Sequence, residues 1–340
     1  MAMGRACGYL AGGDGRFWHG GRVLGPAAPI PFDAGILRRG RDLRAAGVEP
    51  TRGRWHQVRN GVWVTEHEWR RLTPEHRHAA LVHATGLCLE REDPVFAVTS
   101  AAAVWGLPRV EQWPDAVRVL VATEARGRGS SLVRPHVGRE AATVRHGDLR
   151  VTSPARTVVD LARTGTLHTA VAAADHALRH ELCTLAELMA EVDAVPPRVR
   201  GRVAARLVGA LADPLSMSPG ESLSRVQMFL LNLPRPQLQR EVRDAEGLVG
   251  FVDFGWEAVV GEFDGKVKYR VAENATPAEA AEVVWREKQR EDRLRRQSRV
   301  ARWTWAIALD RGKLGALLAQ HGIRPLPANV WVDLGARAAS

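Results

Sequence analysis

Val249-Gly-Phe-Val-Asp-Phe-Gly-Trp-Glu-Ala-Val-Val-Gly-Glu-Phe-Asp-Gly-Lys-Val-Lys-Tyr269 is the stretch on which the reading of this chain turns. Two short apolar runs flank a tight Gly255-Trp256-Glu257 connection, the pattern of a β-hairpin, with acidic residues where a plain core would be apolar. Side chains alternate faces along a strand, so Glu262, Asp264 and Lys266 share one face of the second strand. Asp253, on the first strand, is close enough across the ladder to join them. Three carboxylates and a lysine on one sheet face make a poor structural element and a good divalent-metal site. Mg²⁺ or Mn²⁺ takes carboxylate oxygens, and phosphate-ester hydrolysis uses such a metal with a cation on the scissile phosphate.

Working outward, Ser218-Pro219-Gly220-Glu221 opens a helix that runs to about Leu231, and Leu233-Pro-Arg-Pro236 breaks it. Gln237 to Val242 reads as a strand preceding the hairpin. Thr276-Pro277-Ala278-Glu279 is a capping box with Pro at the first helical position, opening a helix from 277 to about 297. Val300 to Leu309 reads as the last strand: Trp303, Trp305, Ile307 and Leu309 face one way, Arg302 and Thr304 the other. The order is α-β-β-β-α-β.

That order, with these residues, resembles the restriction-endonuclease-like PD-(D/E)xK superfamily, in particular its very-short-patch-repair-like branch. The resemblance covers about residues 216–312. It is carried by Glu221, Gln239, Asp253-Phe254, Glu262-Phe-Asp264-Gly265, Arg290-Glu-Asp-Arg-Leu294 and Val300-Ala-Arg302-Trp303. It implies that Asp253, Glu262 and Asp264 bind Mg²⁺ or Mn²⁺, helped by Glu221, and that Lys266 or Lys268 stabilises charge on the phosphorane-like transition state. Gln239 and Arg290 are expected on the DNA side. The branch often has His where this chain has Lys268. Asp264-Gly265-Lys266 supplies the acid-x-Lys pattern literally, and Glu262-x-Asp264 is the other register; both put the groups on one face. Arg286, Lys288, Arg290, Arg293, Arg295 and Arg296 either track a DNA backbone or form a solvated face paired with Glu287, Glu291 and Asp292. Burying three carboxylates unpaired is costly, so their retention argues for a bound metal. The alternative is a nuclease fold that binds DNA without cutting.

At the front, residues 33–65 carry a short basic helix ending at Ala46-Gly47 and a second helix from Glu49-Pro50-Thr51 to about Val58. Asn60-Gly61 closes it, and Val62-Trp63-Val64 is a strand. This is the order of a winged helix-turn-helix, with Arg52, Arg54 and Arg59 on the helix that enters the major groove. A small helical domain with solvated arginines fits the same pattern. Ser100-Ala-Ala-Ala-Val-Trp-Gly-Leu-Pro108 and Val151-Thr-Ser-Pro-Ala-Arg-Thr-Val-Val-Asp160, together with that unit, resemble type IV toxin–antitoxin AbiEi-family antitoxins. The resemblance implies a DNA-binding N-terminus, transcriptional repression and a cognate toxin as partner.

The fold class expected is α/β and multi-domain. A disordered leader or an upstream start (1–30) precedes a winged helix (31–68) and a central α/β connector (69–212), with Val195-Pro196-Pro197 as a linker. An endonuclease-like domain (213–325) and a tail (326–340) follow. The chain has 340 residues, 45% hydrophobic and 25% charged, as in soluble globular proteins. Its net charge of +10 points to a polyanion, DNA first, with RNA open to the same chemistry. Three scattered cysteines, no membrane-length apolar run and no signal-peptide core fit a cytoplasmic protein with no membrane partner. His176 and His180, and His76, His78 and His83, read as ordinary helical histidines rather than zinc ligands. The leading function is a DNA-binding protein with a metal-dependent endonuclease domain. The rival is a non-enzymatic DNA-binding regulator with an inactive nuclease fold.

Overall fold

The computed structural model describes residues 17–19, 22–24, 31–122, 132–138, 142–265 and 276–332. They fall into two compact units. One lies within Pro29–Ala212; the other is formed from Asp213 onward with a short antiparallel pair, β1 (Phe17–His19) and β2 (Arg22–Leu24).

The N-terminal unit begins with β3 (Arg38–Arg39), α1 (Gly40–Ala45), a 3-10 turn (Pro50–Arg52), β4 (Trp55–Arg59) and β5 (Val62–Thr65). The three strands are antiparallel in the order β3-β5-β4. The helix expected from Glu49 to Val58 is therefore a single turn followed by a strand. Pro50 starts the turn, and the Glu49 side chain accepts from the Thr51 amide at 3.4 Å, but Gly53 is already extended. From Trp55 the chain pairs with β5 instead, across a turn at Asn60-Gly61 in which Gly61 has φ +81°. Tertiary pairing overrides a weak helical start.

Helices α2 (Glu66–Arg71) and α3 (Pro74–Cys88) follow. Leu37, Val62 and Val64 share a core with Ala80 and Ala84 of α3, so the first strands and α3 form one packed body. Next come β6 (Val95–Phe96), α4 (Thr99–Val104), β7 (Val117–Val121), β8 (Val133–Val137), β9 (Thr143–His146) and β10 (Leu149–Thr152). They build a mixed sheet in the order β8-β7-β6-β10-β9 around Phe96, Val117 and Val151.

Four helices complete the unit: α5 (Pro154–Thr164), α6 (Leu167–Arg179), α7 (Leu185–Asp193) and α8 (Arg202–Leu211). Ser153 caps α5 by accepting from the Arg156 amide at 3.3 Å, with Pro154 at the first helical position. Val195-Pro196-Pro197 is a turn inside this cluster rather than a linker: Val195 is buried, and α8 packs on α5, α6 and α7.

In the C-terminal unit, α9 (Pro219–Leu230) precedes β11 (Gln237–Asp244), β12 (Gly247–Gly255) and β13 (Val259–Asp264). Helix α10 (Pro277–Gln297), β14 (Arg299–Thr304), α11 (Trp305–Ala308) and α12 (Arg311–Gln320) follow. The sheet order is β11-β12-β13-β14, antiparallel through β13 and parallel between β13 and β14. One face packs on α9: a Cβ on Gly220 would overlap the Phe263 ring, and the Trp303 indole donates to Ser224 Oγ at 2.8 Å. The other face packs on α10, where Leu294 meets Val242, Val249, Val252 and Val260. The last strand stops at Thr304 instead of Leu309. Thr304 pairs with Asp264, the last residue of β13, and the next residues close into the helical turn α11 with no pairing strand among the described residues.

Three histidines of the N-terminal unit are pushed down by burial, His78 and His83 to about 4 and His176 to about 3. Each titrates at about 6.5 in an unfolded chain. A group depressed on folding contributes stability above its unfolded value and loses it as the pH falls toward the folded one. Thermal melts should show this unit's transition falling between about pH 6.5 and 4, by at most about 4 kcal/mol per pH unit if all three titrate together. A flat transition across that window would refute the assignment.

Candidate functional site

The site forms where the sheet departs from regular pleating. Alternation would put Val252 and Phe254 of β12 on one face. Instead Val252 packs with Leu294 on the α10 side, while Phe254 stacks on Trp303 at 5.3 Å, on the α9 side. The strand turns over at Asp253. The neighbouring strand is distorted at the same level: β11 and β12 pair through Leu238–Phe254 and Arg240–Val252, and Gln239 between them has φ +48°. A non-glycine residue in that region costs about 1–3 kcal/mol, and such strain gathers at functional sites.

Asp253 is 1% exposed. On its other flank β12 and β13 pair through Gly255–Val260 and Phe254–Gly261; one more step in that register brings Asp253 opposite Glu262. There the Asp253 carboxylate takes the place of a backbone acceptor, receiving the Phe263 amide on Oδ2 at 2.9 Å. A buried carboxylate is thus aimed into the gap between two strands at the point where β12 turns over.

Glu262 lies beside it on β13, facing α10, with its side chain 8% exposed. The parallel register pairs Glu262 with Arg302 of β14, so the two side chains share a face. Arg302 donates to Glu262 Oε2 through Nε at 2.9 Å, and its Nη2 lies 2.8 Å from the same oxygen in an ion pair. Arg290 of α10 donates to Glu262 Oε1 at 2.8 Å and to the Phe251 carbonyl at 2.9 Å. Both carboxylate oxygens are therefore held by guanidinium groups, in the strongest class of protein hydrogen bond. Helical spacing brings Glu287 and Glu291 to the same face: Arg290 reaches Glu287 at 3.0 Å, and Arg302 reaches Glu291 at 3.1 Å and Glu287 at 3.4 Å. Burial acts to lower the Arg302 pKa, but Glu262, Glu291 and Glu287 outweigh it and hold the group above its ordinary value.

The remaining predicted residues disperse. Glu221 closes the start of α9: it accepts from the Met217 amide at 2.8 Å and the Ser218 hydroxyl at 2.9 Å, while Ser218 Oγ caps its own amide. Gln239, expected to face DNA, is buried and donates to Glu221 at 3.3 Å. Asp264 sits half-buried at the end of β13, and Lys266 and Lys268 lie outside the described residues. Arg290, also expected on DNA, belongs to the Glu262 cluster. Arg293 is tied to Asp244 of β11. At the N-terminus Arg52 and Arg54 are exposed, on the turn and just past it, whereas Arg59 turns inward to the Thr85 hydroxyl at 2.8 Å.

The sequence reading missed Arg302 as a site residue, although it stands on the polar face of the last strand. Glu287, Arg290 and Glu291, at helical i, i+3, i+4 spacing, carried the rest of the signal. It also treated the buried acids as unpaired, and the structure corrects this: Glu262 has two arginines, Asp253 a backbone amide, and Glu221 a helix start. Among the described residues no three His, Cys, Asp or Glu side chains gather as a metal site. With both Glu262 oxygens on guanidinium groups, the residues as arranged do not fit a divalent cation.

No protein-family model matches the chain. It is 38% identical over 105 residues to uncharacterised proteins of Mycobacterium tuberculosis strains CDC 1551 and H37Rv. The match takes in 31% of this chain and 38% of each relative, so the chain spans well under half the length of the proteins it resembles.

Removing Glu262 leaves two mostly buried guanidinium groups without their shared carboxylate. Glu262→Ala should destabilise the C-terminal unit by about 2–4 kcal/mol, below the range for fully buried pairs because both arginines keep some solvent. Urea unfolding followed by tryptophan fluorescence measures it. A loss under about 0.5 kcal/mol, typical of a surface site, would show that the cluster carries no structural weight.

Proposed function

We propose that this chain is a DNA-binding protein of the regulator kind, whose C-terminal unit is a restriction-endonuclease-like fold serving as a contact surface with its acid site closed by arginine. The observation that carries the reading is the pairing of both Glu262 oxygens with Arg290 and Arg302. The element order α9-β11-β12-β13-α10-β14, with Asp253 buried between β12 and β13, supports the fold-family resemblance. No step of phosphodiester hydrolysis follows from a carboxylate already engaged by two guanidinium groups.

The DNA contact is proposed for the N-terminal strands. Helix α1 and the Pro50–Arg52 turn lie between the first and second strands of a β3-β5-β4 sheet, a winged-helix order in which the second helix has shrunk to one turn. Arg38, Arg41, Arg44, Arg52 and Arg54 are exposed along this stretch. They supply the positive charge that phosphate contacts require, and the β4–β5 hairpin is the wing. A cognate toxin remains the protein partner that the antitoxin resemblance suggests. RNA offers the same backbone chemistry. Among the described residues no helix is long and apolar enough to cross a membrane.

A second reading, a Mg²⁺- or Mn²⁺-dependent endonuclease, is favoured by one observation: Asp253 and Glu262 are brought opposite each other by the β12–β13 register, beside strained backbone at Gln239. Two assays separate the readings. Fluorescence anisotropy with duplex DNA should show salt-dependent binding, and Arg52→Ala with Arg54→Ala should reduce the slope of log K against log salt by about 2. Supercoiled plasmid should stay uncut with Mg²⁺ or Mn²⁺. Metal-dependent nicking that Asp253→Ala abolishes would establish the endonuclease; an unchanged salt slope in the double variant would move the DNA contact elsewhere.

A further inference from the structure

We propose that Arg290 and Arg302 stand in for a divalent cation at Glu262, so that the C-terminal unit keeps its acid site assembled by ion pairing where a related fold would use metal. This rests on the nuclease-like reading of the fold and identifies what occupies the site.

Three features converge on this assignment. The first is position. Glu262 stands opposite Asp253 in the β12–β13 register, at the level where Gln239 of β11 is strained, and Arg302 is fixed beside it by strand pairing. The second is charge. Two guanidinium groups bring two positive charges to one carboxylate, the charge a divalent ion would bring, while Glu287 and Glu291 engage other donors of the same groups. The third is geometry. The planar fork of arginine satisfies carboxylate oxygens in fixed directions, and the two forks arrive from different elements, α10 and β14. They therefore cross-link helix to sheet through one acid, as a metal does through several ligands. A divalent ion placed on the same oxygens would lie beside two cations, with the acid's charge already neutralised.

Removing the arginines should uncover the cation site that they replace. With Arg290→Gln and Arg302→Gln combined, Glu262, Glu287 and Glu291 lose their cations, with Asp253 alongside. In the native arrangement these acids do not gather as a metal site among the described residues, so Mn²⁺ is taken up when the freed carboxylates turn toward one another. Free Mn²⁺ is followed by electron paramagnetic resonance in the absence of DNA. The double variant is expected to bind Mn²⁺ at least about tenfold more tightly than the wild type, and Glu262→Gln in the same background should remove the gain. Equal affinity in wild type and double variant would overturn the proposal.

The single variant Glu262→Gln gives a second readout should the double variant fail to fold. In a site built for metal, acids crowd together without the ion, and neutralising one raises the melting temperature of the metal-free protein. Here Glu262→Gln in excess chelator should lower the C-terminal transition, by about 4 °C or more. A rise would overturn the proposal. Both measurements are made without DNA, so failure of the DNA-binding reading leaves their results unaffected.

Discussion

The C-terminal unit is organised by one carboxylate between two guanidinium groups. Glu262 stands on a central strand, Arg302 on the strand beside it and Arg290 on the helix that covers them. Taking a carboxylate out of water is costly unless its oxygens are satisfied by charge and hydrogen bonds together. Here they are, and the requirement runs in both directions: the arginines stay in place because Glu262, Glu287 and Glu291 surround them. Leu294, one turn further along α10, packs into the apolar cluster of the same face. Apolar burial sets how close helix and sheet lie, and the ion cluster sets the register of one against the other.

The N-terminal unit solves a similar problem on a smaller scale. Asp160 of α5 is fully buried, held by the Arg156 guanidinium at 2.9 Å, with Arg163 and His136 close by at 3.7 and 3.6 Å. Thr157 of the same helix stays out of that charge cluster. Its buried hydroxyl turns back to the Thr152 and Ser153 carbonyls at 3.2 and 2.8 Å, tying the helix start to the end of β10.

Much of this architecture is legible in the sequence where local chemistry is unambiguous. Ser218 and Pro219 start α9, Pro277 starts α10, and the Gly255-Trp256-Glu257 connection joins two strands, because caps, proline and tight turns act within a few residues. The reading fails where distant pairing decides. Trp55 to Arg59 join β5 rather than extend a helix, and the last strand ends where β13 ends, a length that no residue after Thr304 encodes. The buried turn at Val195 has no clear local signal either. At the site, the identities of Asp253 and Glu262 are plain in the sequence, but their electrostatic partners are not. Arg302 reaches Glu262 across 40 positions of sequence and Arg290 across 28, so the acids read as unpaired and a metal as required.

Phe263 connects the two faces of this sheet. Its ring presses on the backbone of α9 at Gly220 with no room for a methyl group, and its amide holds the Asp253 carboxylate in the gap between β12 and β13. Glu262, the next residue back, points the opposite way into the arginines. Ring, amide and neighbouring carboxylate are joined by rigid covalent geometry over two residues. The start of α9, the Asp253 carboxylate and the arginine cluster therefore shift together, and a disturbance on the buried helix face is transmitted to the acid site as a displacement of strand β13.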